Sequence, residues 1–255
     1  VVISVASGAV VSVLEQVGPY LGGVESLWLT SKGFWQTETE VELLPEAIKQ
    51  IAKAKGIDLP PLVAIAGPVK ASECASAKPT ATVFACRDYE LAKRYAKTVT
   101  TPNYAVTPSQ DEIGVEVCAA LKNIYAIALG IADGMSEADK QPRDNLRAAI
   151  FVQAVTEMAS LCHAMGGDLQ LTSTAGRSRL YGHAVGAGQN PRQALEQMQS
   201  QGLTIEGSPA ALIAHQLVQQ LGLNAPLLEA VYQLLHGHVD DAGALICAVA
   251  LGVDA

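Results

Sequence analysis

Lys122 and Asn123 stand side by side within GVEVCAALKNIYAIALGIADG, residues 114–134. From Ile113 to Ala132 the only other Asp, Glu, Lys, Arg, His or Tyr residues are Glu116 and Tyr125. An amine among Ala, Leu and Ile loses hydration of its charged form, which is expected to lower its pKa towards neutrality. Such an amine can both give and take a proton. The competing reading is a lysine with a buried stem and its ammonium in water. Asn123 argues for chemistry, because a second polar group in the same apolar run also needs partners.

Three further places gather reactive or binding groups. Ser31-Lys32-Gly33 ends an apolar strand-like run, where a lysine would project into the crevice that ligands occupy in open α/β sheets. AGPVKASE, Ala66 to Glu73, is a second strand exit. Its Gly-Pro turn would expose backbone N–H groups able to meet an anion or an amide. In GGDLQLTSTAGRSRLYG, residues 166–182, Asp168 and Thr172 are four apart, with Arg177 and Arg179 beyond a turn of small residues. Arginine forks suit phosphate. A buried lysine with a phosphate-reading arginine implies a small phosphorylated substrate bearing a carbonyl or hydroxyl. Each place also has a plainer reading: a surface lysine, an ordinary turn, a solvated basic loop.

The elements that must position these groups change character along the chain. Residues 1–100 alternate strand-like runs (VVISVAS, ESLWLTSKG, PPLVAIAGP, PTATVFACRD) with amphipathic stretches (AVVSVLEQVGPYL, TEVELLPEAIKQIAKAKG, YELAKRYAKTV). That alternation predicts a partial Rossmann-like α/β domain over 1–110 with a largely parallel sheet. From Asp111 the periodicity is helical over 111–135, 142–165, 191–201, 208–222 and 225–237, predicting an all-α domain over 111–255. The glycine-rich GHAVGAG, residues 182–188, reads as a loop. No G-x-G-x-x-G follows a strand and opens a helix, so the chain as written is expected to bind nucleotide poorly.

Composition narrows the classes. The chain has 255 residues, 49% hydrophobic and 16% charged, enough to fill a large core. A net charge of −8 argues against a broad attraction to nucleic acid. Five cysteines without a C-x-x-C pair fit free thiols in a reducing compartment, and no cleavable leader is evident. A cytoplasmic location is therefore expected. Residues 113–132 have the length of a membrane span, but Glu116, Lys122 and Asn123 within it favour a buried helix.

Taken together, SKG, AGPxxASE, DEIGVEVCAALKNIYAIALGIADG, GDLxxT, GRSR and IEGSPAA resemble, in order and spacing, the nicotinamide-dependent glycerol-3-phosphate dehydrogenases. The resemblance runs over nearly the whole chain, and GVEVCAALKN followed by GIADG is its most specific part. It implies that Lys122 is the proton donor and acceptor at the substrate's C2 oxygen. Lys32, Asn123, Asp168, Thr172, Arg177 and Ser178 would bind substrate. Gly67, Ala71, Arg177 and Glu206 would meet the cofactor, NAD or NADP, and no residue is assigned to a metal. The fingerprint that opens the family's cofactor domain would precede VVISVA. Val69, Lys70 and Ala119 depart from the family's pattern, and Ser178 replaces an asparagine beside the phosphate. The resemblance also implies a homodimer. Two alternatives stand beside it: a non-catalytic or truncated relative that binds a phosphorylated metabolite or partner, and a lyase using Lys122 as a Schiff-base amine.

Overall fold

Short apolar runs with a two-residue period make the strands of the first part of the chain. The computed structural model describes all residues except 38, 39, 168–176, 202–204, 206, 237, 238, 240 and 253–255, and of 177–179 it describes the backbone alone. Seven strands are present among the described residues: β1 (Val2–Ile3), β2 (Leu27–Leu29), β3 (Phe34–Gln36), β4 (Val41–Leu43), β5 (Leu62–Ala66), β6 (Thr80–Ala85) and β7 (Tyr104–Ser109). The main sheet has the order β1-β2-β5-β6-β7. β1 with β2, β2 with β5, and β6 with β7 run parallel, whereas β5 and β6 are antiparallel.

Alternation along β5 and β6 divides the core. Leu62, Ala64, Ala66 and Ala85 join Ile3, Leu29 and the helix residues Val10, Leu14, Leu44 and Ile48 on one face. Val63 and Phe84 join Leu91 and Ala92 on the other. The helices are α1 (Val10–Val17), α2 (Leu44–Ala54), α3 (Ala71–Ala75) and α4 (Tyr89–Val99). Val10 and Leu14 lie one turn apart, and so do Leu44 and Ile48, so each helix presents an apolar stripe to the sheet. Asp88 caps α4, its carboxylate accepting from the Leu91 N–H at 3.1 Å.

Three strands of the first part of the chain, β3, β4 and β7, differ from the sequence reading. Val41–Leu43, read as the start of a helix, pairs with β3 as an antiparallel hairpin before α2 begins at Leu44. The edge strand β7 was also not anticipated, and its Pro108 is tolerated because β7 pairs on one side only.

The chain forms two compact units, residues 1–120 with 162–173, and 121–161 with 174–255. The second is helical, built from parts of α5 (Glu112–Asp139) and α6 (Asp144–Ala164) together with α7 (Arg177–Gly186), α8 (Pro191–Ser200), α9 (Gly207–Leu221), α10 (Pro226–Leu235) and α11 (Ala242–Leu251). GHAVGAG is not a loop throughout. Residues 182–186 are the last of α7, where the lack of a side chain at Gly182 and Gly186 lets helices approach closely. α11 was likewise not anticipated. α5 is long and apolar enough to cross a membrane, but 89% of its most apolar window is buried within the protein.

Inside the helical unit Glu157 organises a buried polar knot. Its carboxylate accepts from the Leu227 and Leu228 N–H groups at 2.6 and 2.9 Å, from the Tyr125 hydroxyl at 3.0 Å and from the Gln153 amide at 2.8 Å. Two of the α10 N–H groups that the helix cannot satisfy are thus paired. Burial raises the Glu157 pKa, and these four donors partly offset the rise. Glu157→Leu would strand all four donors, and a stability loss of about 3 kcal/mol is expected in urea unfolding.

Candidate active site

In the first unit, β1, β2 and β5 end at the same edge because they run parallel. Ser31, buried just past β2, ties two of these ends together. Its hydroxyl donates to the Val5 carbonyl at 2.6 Å and accepts from the Val5 N–H at 3.2 Å. Gly33 has φ +131°, which a side chain would resist, so the chain turns sharply there and leaves Lys32 between two fixed points. Lys32 is half-buried. Beside it, β5 exits through Gly67, where a Cβ would lie 2.8 Å from the Ala81 carbonyl oxygen and the Thr82 Cα. The glycine is required by that backbone approach to β6. Residues 68–71 beyond it are exposed, and Ala71 opens the short α3.

The first turns of α5 bring acids to this unit. Glu112 is buried and pairs with Lys49, while the Arg87 guanidinium lies 3.6 Å away. Glu116, one turn on, is fully buried, and neither carboxyl oxygen has a hydrogen-bond partner among the described residues. Burial pushes its pKa from the ordinary 4.5 up to about 8. The Lys32 charge pulls the other way, Glu112 adds to the rise, and Lys49 opposes it. Because the folded protein takes up this proton more readily than the unfolded chain, the stabilisation is complete below 4.5 and is lost as pH climbs to about 8. Glu116→Gln removes the loss. The variant is expected to gain on the order of 3 kcal/mol over the wild type between mildly acidic and alkaline pH, read as a shift in urea midpoints.

In the second unit Lys122 and Asn123 are half-buried, between the fully buried Leu121 and Ile124. α7 lies against α5 at backbone contact. A Cβ at Gly182 would overlap the Ile127 carbonyl, and one at Gly186 the Ile131 carbonyl. On the α5 side, a Cβ at Gly134 would overlap the His183 carbonyl and lie 2.5 Å from the Ala187 nitrogen. The pairs 127/182 and 131/186 advance together, so the two helices run parallel. The Arg177 end of α7 therefore lies towards the Lys122 side of these contacts. The start of α9 arrives at the Lys122–Asn123 turn, since a Cβ at Gly207 would lie 2.5 Å from the Asn123 carbonyl oxygen.

Of the expected site residues, Lys32, Gly67 and Ala71 share the sheet edge of the first unit. Lys122 and Asn123 share one turn of α5 in the second, and the Arg177–Ser178 backbone stands at the start of α7 in that unit. Asp168, Thr172 and Glu206 lie outside the described residues. Glu116 was not singled out from sequence as a site residue. Its signal was a carboxylate in an apolar run six residues before the lysine.

Comparison with known proteins gives two matching family descriptions. "NAD-dependent glycerol-3-phosphate dehydrogenase N-terminus" covers residues 1–92, and "NAD-dependent glycerol-3-phosphate dehydrogenase C-terminus" covers residues 111–245. A glycerol-3-phosphate dehydrogenase [NAD(P)+] of Symbiobacterium thermophilum is 38% identical over 69% of this chain and 53% of its own length. One of Geobacter metallireducens is 34% identical over 88% of this chain and 68% of its own. The chain therefore spans about half the length of the first relative and about two thirds of the second. The crystal structure of a glycerol-3-phosphate dehydrogenase from Coxiella burnetii superposes with a TM-score of 0.79 at 30% identity, over 96% of this chain and 74% of that one.

Proposed function

From its membership of the NAD-dependent glycerol-3-phosphate dehydrogenase family, to which this chain belongs, we propose that it interconverts sn-glycerol 3-phosphate and dihydroxyacetone phosphate with NAD(P). The observation that carries the proposal is the arrival of the α9 start at the Lys122–Asn123 turn, with α7 packed at backbone contact against the following turns of α5. A helix N-terminus and an arginine at the start of α7 suit a phosphate ester, and a half-buried lysine suits proton transfer.

In this reading Arg177 and Ser178 hold the phosphate, with Asp168, Thr172 and Asn123 around the reacting end. When a nicotinamide is bound, it supplies or accepts the hydride at carbon 2. Lys122 gives a proton to the C2 oxygen when the ketone is reduced and removes one when the alcohol is oxidised. Lys32 helps hold and polarise that end of the substrate. The exposed backbone of residues 68–71, beside Lys32 at the ends of parallel strands, suits the nicotinamide end of the cofactor, with Gly67, Ala71, Arg177 and Glu206 in contact. Residues 1–110 accordingly serve mainly the cofactor, and 111–255 carry the catalytic lysine.

We also infer a cytoplasmic homodimer in which α5 is a core helix and no membrane is spanned. The exposed Phe151 and Val152 on α6 offer apolar surface for a second copy. Sedimentation would test the dimer. The activity is tested by following reduced nicotinamide with dihydroxyacetone phosphate and the full-length protein. Substrate-dependent oxidation is expected, and its absence would favour a non-catalytic relative.

A further inference from the structure

Two polar groups in the first unit stand unmatched. Glu116 is fully buried with neither oxygen hydrogen-bonded, and the half-buried Lys32 ammonium has no hydrogen-bond or ion-pair partner among the described residues. They are too far apart for an ion pair, yet Lys32 is the strongest charge acting on Glu116. The other charges facing Glu116 are Glu112 on its own helix and Lys49 on α2. Those two are committed to each other, and Arg87 and Glu46 complete their cluster. The Cys86 thiol beside this cluster is pushed up by burial and stays neutral near pH 7. Lys32 is therefore the one cation acting on Glu116 that has no other partner among the described residues. An ionised carboxylate buried without a partner is costly, and an approaching ammonium relieves that cost.

We propose that Glu116 is a positioning residue for Lys32: neutral, it leaves the ammonium free to hold the bound substrate, and ionised, it draws the ammonium back and weakens that hold. The inference rests on the reading of Lys32 as a substrate-holding residue. Burial sets the ionisation of Glu116 at about 8, so the exchange falls just above neutrality. Glu116 has no accessible surface of its own, so its effect on a ligand passes through Lys32.

The test is the KM for dihydroxyacetone phosphate of the full-length protein above about pH 7, where the ester's second ionisation, near 6, is complete. The wild-type KM should rise about tenfold by roughly pH 9.5, as a charge-assisted contact is lost. Glu116→Gln should keep a low, flat KM, with kcat at neutral pH within about threefold of wild type. Lys32→Met should raise KM at every pH and abolish the slope. Wild-type infrared spectra give a readout free of any variant: a protonated-carboxyl band that disappears in step with the rise in KM. Parallel KM slopes in wild type and Glu116→Gln, or no protonated-carboxyl band at neutral pH, would overturn the inference. If the wild type turns over but its KM stays flat, this inference alone falls. If no preparation binds or reduces dihydroxyacetone phosphate at any pH, the dehydrogenase reading falls with it.

Discussion

Lys122→Ala is expected to turn over dihydroxyacetone phosphate roughly 10²–10⁴-fold more slowly than the wild type, with a KM changed by only a few fold. The split follows from the division of labour around α5. In the proposed reading the phosphate contacts come from the start of α7, so removing the amine leaves them in place and takes away the proton needed in the transition state. Lys122→Arg should recover little of the loss, because a guanidinium keeps its proton throughout the working pH range. Steady-state kinetics with saturating cofactor checks both variants. A large rise in KM at unchanged kcat would assign Lys122 to binding.

Gly182→Ala should be nearly as damaging, although residue 182 is five positions from Arg177 and bears no reactive group. Its added methyl would overlap the Ile127 carbonyl, and the nearest atoms are all backbone, so no side chain can swing aside. α7 must move away from α5, at a cost of about 2–3 kcal/mol. The α7 N-terminus moves with it. A displacement near 1 Å at a site of this kind lowers turnover by roughly 10²-fold. Gly22→Ala is the control, because its Cβ would meet nothing within 4 Å. Urea unfolding and kcat/KM, measured together, should both fall for Gly182→Ala and neither for Gly22→Ala.

The order of strands and helices before residue 100 was legible because β5, β6, α2 and α4 each carry a clean apolar period. β3 and β4 were not, since three residues are too few to show a period and Val41–Leu43 runs into the apolar start of α2. The antiparallel course of β6 has no local signature, because it depends on how the chain returns to the sheet. α7 was hidden by its own mechanism. Gly182 and Gly186 count as helix breakers by propensity, but here they allow the backbone contact that positions the helix. The site divided in the same way. Lys122 stood out as an amine in an apolar run, and Arg177 as a fork after a turn. Glu116 lay in that same run, but its lack of a partner depends on which side chains the fold brings near it, and a sequence does not state that.

The central claim is that the Arg177 and Lys122 turns act on one phosphorylated molecule. The most direct measurement is kcat/KM for dihydroxyacetone phosphate against dihydroxyacetone, in the wild type and in Arg177→Ala. The wild type should prefer the phosphate ester by about 10³-fold or more, and the variant should lose most of that preference by failing on the ester alone. Equal handling of the two ketones by the wild type, or a preference that survives in Arg177→Ala, would contradict the claim.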